Sequence, residues 1–253
     1  MYKFPSDSNE NIQQLVECHE IIDKKDFYFF FYTSNSNKKA ELDDLLPRLN
    51  KKHHINVNLI VITHDINEIQ SQSTKEVVSH KIQQAMAHFL AHEKQKYLHT
   101  TNDNHIILTN NNHIIFCEDT GLGFKRAGKD GSGNYYPGAL IKFPYDSLRN
   151  KYNGDFHQVN KELVTQYGND DAVFSTSFGY YNPQCGSYFA NTIDQKFSVA
   201  ETYSENGDGF DFDFILTLPE YGGTKSLAEL NRSLIPKPRA ILFEALYLMI
   251  TEK

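Results

Sequence analysis

The chain has 253 residues, of which 40% are apolar and 23% charged, and its 18 Phe and 15 Tyr supply bulky core material in the absence of Trp. That is enough for one sizeable core in a soluble globular protein. A net charge of -7 excludes a general affinity for nucleic acid or anionic membranes, both of which need clustered Lys and Arg. It leaves room for a local basic pocket that holds a small anion.

Residues 1–25 form an N-terminal extension in which Ile12, Leu15, Val16, Ile21 and Ile22 recur at helical spacing, so a short helix is expected over 9–22. The extension has no apolar signal segment, and Cys18, Cys117 and Cys185 make no CxxC pair. The expectation is a cytoplasmic protein without disulfides or a membrane span. Residues 26–253 read as a single domain. "DFYFFFY" is a buried strand, followed by a helix capped by Ser36 or Asn37 with Leu42, Leu45, Leu46 and Leu49 inward. "NVNLIVI" is a second buried strand, and residues 74–98 form a long helix capped by Thr74. "HIILT" and "HIIFCE" read as two strands around the turn "NNN".

A glycine-rich excursion, "EDTGLGFKRAGKDGSGNYYPG", comes next, then a helix in "HQVNKELVTQY". Alternation from "DAVFSTSFGYY" through "GFDFDFILTL" predicts three antiparallel strands. A last helix opens at Pro238, which suits a first-turn position. Strand–helix–strand–helix followed by a meander is an α/β fold with a mixed twisted central sheet flanked by helices, in two lobes.

Four stretches carry candidate chemistry. In "FYFFFYTSNSNKKAELDDLL", Thr33, Ser34, Asn35 and Lys38 stand between a strand and a helix. They either cap and turn the chain or cradle phosphate, and first-turn lysines oppose the helix dipole unless an anion offsets them. Walker's GxxxxGK[ST] is absent. In "FCEDTGLGF", Glu118 and Asp119 end a strand and face opposite sides, so they have different jobs; one can hold Mg²⁺ or activate water. Glu68 and Lys81, taken singly, read as surface charges. "GDGFDFDFILTL" is a half-exposed strand whose aromatics can stack on a base. His88 and His92 stand i, i+4 without a third ligand and read as packing histidines rather than a zinc site. Cys117 reads as a buried strand residue rather than a nucleophile.

Taken in order, these stretches resemble the inosine triphosphate pyrophosphatase family. Its T-G-N-x-x-K motif appears as Thr33-Ser34-Asn35-Ser36-Asn37-Lys38, followed by Glu41. Its E/D-D-[ST]-G-L signature appears as Glu118-Asp119-Thr120-Gly121-Leu122, and its P-G segment as Pro137-Gly138 after an insertion near 128–136. The second half departs from the pattern: F-G-[YW]-D-P becomes Phe210-Asp211-Phe212-Asp213-Phe214. The closing K-x-x-x-S-H-R keeps only Arg239, with Lys237 and Pro238 in place of Ser and His and Ser233 in place of Lys.

The resemblance implies a nucleotide cleft between the lobes and a homodimer. It also implies Mg²⁺-dependent hydrolysis of non-standard purine nucleoside triphosphates (ITP, dITP, XTP) to monophosphate and pyrophosphate. Glu68 and Asp119 would hold Mg²⁺, and Asp119 with Lys81 would be catalytic. Thr33, Asn35, Lys38 and Lys81 would neutralise phosphate charge, Thr120 would bind substrate, and Phe210, Phe212, Asp213 and Arg239 would hold the base. Two alternatives stand beside this reading: a hydrolase of the same fold with altered base preference, and a nucleotide-binding pseudoenzyme.

Overall fold

The computed structural model describes residues 27–97, 108, 112–183, 185–207, 211–230 and 238–251. In chain order the first half contains β1 (Phe27–Tyr32), α1 (Ser36–His53), β2 (Val57–Ile62), α2 (Thr74–His88) and β3 (His113–Phe124). The second half contains β4 (Pro137–Gly138), α3 (Lys142–Lys151), α4 (Phe156–Tyr167), β5 (Asp171–Asn182), β6 (Ser187–Val199), β7 (Leu216–Thr217) and α5 (Pro238–Thr251). One mixed sheet runs β2-β1-β3-β5-β6-β7, with β4 paired to β3. This is the α/β architecture expected from the sequence.

Every residue of β1 is buried, because β1 lies between two parallel neighbours, β2 and β3, and helices cover both faces of that part of the sheet. Phe27, Phe29 and Phe31 join a core with Leu42, Leu46 and Leu49 of α1 and with Leu242, Phe243 and Tyr247 of α5. Tyr28, Phe30 and Tyr32 join the opposite core with Val78 and Ile82 of α2 and with Phe89. Each such side chain withdrawn from water contributes about 1.5–3 kcal/mol. A third cluster lies farther along β3, where Leu122 and Phe124 pack with Val159 and Leu163 of α4 and Phe197 of β6. The two lobes thus share the long strands β3, β5 and β6.

Several local expectations are corrected. α1 begins at Ser36, so its cap position is Asn35, ahead of the Ser36 or Asn37 expected, and Asn35 Oδ1 accepts from the Lys38 N–H at 3.4 Å. Ser73 rather than Thr74 caps α2, since the Thr74 hydroxyl is buried against Ser177 at 2.6 Å. The long helix ends at His88 and continues as a π turn over Phe89–Glu93 and a 3₁₀ turn over Lys94–Tyr97. Of "HIILT", only Leu108 lies within the described residues, and it is not in a strand.

β3 does not stop at the acids but continues to Phe124, because β5 pairs with it throughout that stretch. The third long antiparallel strand does not form. Asp211–Phe214 is a 3₁₀ turn closed by Ile215 N–H to Phe212 O at 3.0 Å, and Phe212 turns onto Tyr145 with ring centroids 5.0 Å apart. The insertion folds back on itself through a Lys129–Tyr135 bridge. The N-terminal extension and its expected helix lie outside the described residues. Among the described residues, no helix is long and apolar enough to cross a membrane.

Candidate active site

β1 pairs with β3 only as far as Cys117, and β4 takes over at Leu122. Among the described residues, positions 118–121 of β3 therefore face a gap on that side. The gap lies at the carboxyl ends of the parallel strands, where open α/β sheets hold ligands. Two glycines shape its rim. A Cβ on Gly121 would lie 2.6 Å from the Gly138 carbonyl carbon, and one on Gly138, at φ +59°, would lie 2.3 Å from the Gln72 oxygen. Their absence lets β3, the Pro137–Gly138 segment and the loop before α2 stack backbone on backbone, secured by Ala139 N–H to Gln72 O at 3.0 Å.

The gap gathers six charged side chains from five elements. Glu118 and Asp119 point to opposite faces of β3, as neighbours on a strand must. Glu118, with its side chain fully buried, faces Lys38 of α1 at 3.5 Å. Asp119 faces Lys81 of α2 at 3.6 Å. Lys81 also donates to Glu68 at 2.6 Å and to the Glu118 carbonyl at 3.5 Å. Lys142, the first residue of α3, reaches the other Glu68 oxygen at 3.5 Å.

The electrostatics separate the two acids that face Lys81. Burial pushes the Asp119 carboxyl above its usual range, although Lys81 and Lys38 pull the other way. Burial also raises Glu68, but the hydrogen bond and charge of Lys81, helped by Lys142, outweigh it and hold that carboxyl below its usual range. Burial would lower Lys81, yet Asp119 and Glu68 raise it, so it stays protonated at neutral pH. These directions are consistent, because the attraction between Lys81 and Asp119 is smaller than the burial cost of the Asp119 carboxylate. Burial pushes the Cys117 thiol up to about 12, which leaves it inert.

Glu68 and Asp119 both present oxygens to one ammonium, so they lie within reach of one small cation. Two carboxylates suit Mg²⁺, which takes the rest of its octahedron from phosphate and water. Among the described residues, no group of three or more His, Cys, Asp or Glu is placed to hold a metal. His88 stacks on His64 at 3.7 Å and bonds the Tyr32 hydroxyl at 3.0 Å, a packing role that matches expectation.

The structure brings Lys38, Glu68, Lys81 and Asp119 together, with Thr120 next along β3. Thr33 and Asn35 leave β1 beside this cluster. Thr33 Oγ1 accepts from the Asn35 N–H at 3.1 Å, so both residues shape the turn. Phe212 and Asp213 lie on the 3₁₀ turn. Phe210 and the Arg239 side chain lie outside what the structure describes, although Arg239 falls in the first turn of α5. Sequence reasoning missed one member of the cluster: Lys142 was overlooked, though its place just after "PGALI" was a usable signal. A shallow hollow beside α4, between Lys161, Gly168 and Tyr203, shares none of these residues.

Residues 29–234 match the model of the Ham1 family. Two solved structures superpose on the chain. A nucleoside-triphosphatase / dITP/XTP pyrophosphatase from Mycobacterium abscessus aligns with a TM-score of 0.51 and 19% identity, over 88% of this chain and 96% of its own. A HAM1 protein from Coxiella burnetii aligns with a TM-score of 0.58 and 16% identity, over 90% of this chain and 100% of its own. At such identities the likeness is one of fold. No curated protein sequence matches the chain.

Proposed function

The chain belongs to the Ham1 family, and on that premise we propose that it is a nucleoside triphosphate pyrophosphatase acting on non-standard purine nucleotides such as ITP, dITP and XTP. The observation that carries this reading is the convergence of Lys38, Lys81 and Lys142 on Glu68, Glu118 and Asp119 at the open end of the parallel strands. Hydrolysis of a phosphoric anhydride asks little covalent work of a protein. It needs charge neutralisation and an oriented water.

The three lysines neutralise the triphosphate, and Thr33, Asn35 and Thr120 align it along the end of β1. Asp119 orients the attacking water and accepts its proton, for which a carboxyl raised above its usual range is the better base. Water adds across the anhydride between the α and β phosphates, releasing a monophosphate and pyrophosphate. Glu68 and Asp119 would hold Mg²⁺, which when bound screens phosphate charge and polarises the reacting oxygens. Phe210, Phe212, Asp213 and Arg239 hold the base in this reading. The changed "FDFDF" and "KPR" segments are what the second reading, a hydrolase of the same fold with altered base preference, would rest on. A cytoplasmic homodimer belongs to the same proposal, and sedimentation checks the dimer.

The test is product analysis with Mg²⁺ over ITP, XTP, dITP and the common triphosphates. Pyrophosphate with monophosphate, abolished by chelation, is expected. Release of orthophosphate, or no turnover of any triphosphate, would refute the proposal.

A further inference from the structure

On the face of the sheet that carries Glu118, residues of β3, β5 and β6 stand in rungs: Glu118–Phe178–Asn191, Thr120–Thr176–Ile193 and Leu122–Phe174–Gln195. Toward one end of this face lie Phe116 and Phe178 of the first core, and toward the other lie Phe124, Ala172 and Phe197 of the third. Between them Glu118, Thr120, Thr176 and Gln195 make a polar band. Thr176 is 1% exposed, yet among the described residues its hydroxyl has no hydrogen-bond partner, and neither does the buried Gln195 Oε1. The opposite face of the same strands differs. There the hydroxyls of Thr74, Ser177 and Thr192 form a chain at 2.6 and 2.6 Å, and Ser175 donates to Asp194 at 2.6 Å. An unmet buried polar group costs about 1–3 kcal/mol, so two on one face call for a partner from outside the protein chain.

The surroundings identify that partner. By strand geometry, Thr176 stands about 8 Å from Glu118, two residues along and one strand across. It therefore lies on the Glu118 face of the sheet, one nucleotide-sized step from the gap. Tyr247 of α5 packs on Phe29, and Phe243, one turn earlier, packs on Phe116 and Phe178. The helix therefore runs with its N-terminal end toward the band. On the other flank, Phe212 stands against Tyr145.

We propose that Thr176 and Gln195 are specificity-determining residues that form the floor of the base subsite and read the keto edge of a purine. This rests on the triphosphate reading above. A keto purine presents a carbonyl oxygen beside a ring N–H. The Thr176 hydroxyl donates to the first, and Gln195 Oε1, which can only accept, takes the second. Adenine presents an acceptor at that ring nitrogen and leaves Gln195 Oε1 opposed to it.

The test uses Thr176→Val and Gln195→Leu in two settings. In an Asp119→Asn background, affinities for ITP and ATP are measured by calorimetry. In the parent chain, kcat and KM are measured for both nucleotides. Each variant should cut the ITP-over-ATP preference by about tenfold or more, the value of one hydrogen bond to a ligand. The loss should fall in KM and Kd rather than kcat. Thr176→Val should leave the melting temperature unchanged or raised, because no bond within the protein is lost. Unchanged discrimination overturns the inference. So does a lowered melting temperature with unchanged KM, which would mean that the hydroxyl held a structural water. Absent turnover with binding discrimination that still depends on Thr176 would instead strike the hydrolase reading alone.

Discussion

Replacing Asp119 by Asn keeps the size of the side chain and removes one charge from the gap. Asp119 is 6% exposed and 3.6 Å from the Lys81 ammonium, a separation worth about 5 kcal/mol at an effective dielectric constant near 20. Burying a carboxylate costs several kcal/mol, and its raised titration shows that this cost is the larger. A carboxyl whose pKa is higher folded than unfolded favours the fold below the unfolded pKa. That contribution is lost as pH rises through the folded value. At neutral pH the ionised Asp119 is thus a net burden on stability, and Asn removes it. Lys81 keeps Glu68 at 2.6 Å.

The expected outcome is a loss of about 10³-fold or more in kcat, from the missing proton acceptor and ligand. The melting temperature should be unchanged or higher by about 2–4 °C, the value of roughly 1 kcal/mol in a chain of this size. Pyrophosphate release and calorimetric melting on the same preparations decide it. Turnover within tenfold of the parent would place the chemistry elsewhere. A melting temperature lowered by about 5 °C or more would show that Asp119 holds the fold together and would refute the electrostatic argument.

Lys81→Met should lower kcat/KM by about 10²-fold or more and let the Glu68 carboxyl titrate higher, which steady-state kinetics and carboxyl NMR would register. Activity should fall on acidification through a pKa above the usual carboxylate range, since Asp119 must be ionised to take a proton and burial raises it. Lys38→Met removes a cation that pulls this carboxyl down, so the acid limb of the pH–rate profile should move to higher pH; a shift to lower pH would contradict the geometry. Gly138→Ala should destabilise by about 2 kcal/mol or more in urea titrations, because a methyl group would meet the Gln72 carbonyl and the positive φ is strained for alanine.

The parallel half of the fold was legible because its strands are continuous apolar runs and its helices carry their leucines at helical spacing. Residues 211–214 were misread because alternation of period two is the pattern of a strand, and the contact of Phe212 with Tyr145, a residue 67 positions away that the alternation does not encode, turns the chain there instead. The cap positions slipped by one residue for a related reason. Asn35, Ser36 and Asn37 are all competent caps, and only the exit direction of β1 selects among them. Thr74 was lost as a cap to Ser177, a partner 103 residues away.

The sequence by itself determined that the chain is an α/β protein and which residue types gather near the end of β1. Hydrophobic periodicity and short motifs are local properties that a linear text carries. It also determined that Glu118 and Asp119 serve different faces, because alternation along a strand is a matter of backbone geometry. Only the tertiary structure decided that β3 runs on past the acids and that Lys142 joins Lys81 at Glu68. It alone separated the satisfied hydroxyls of one sheet face from the unpaired Thr176 and Gln195 of the other. Those outcomes depend on which strands lie side by side and in what register, and register is set by the packing of distant segments.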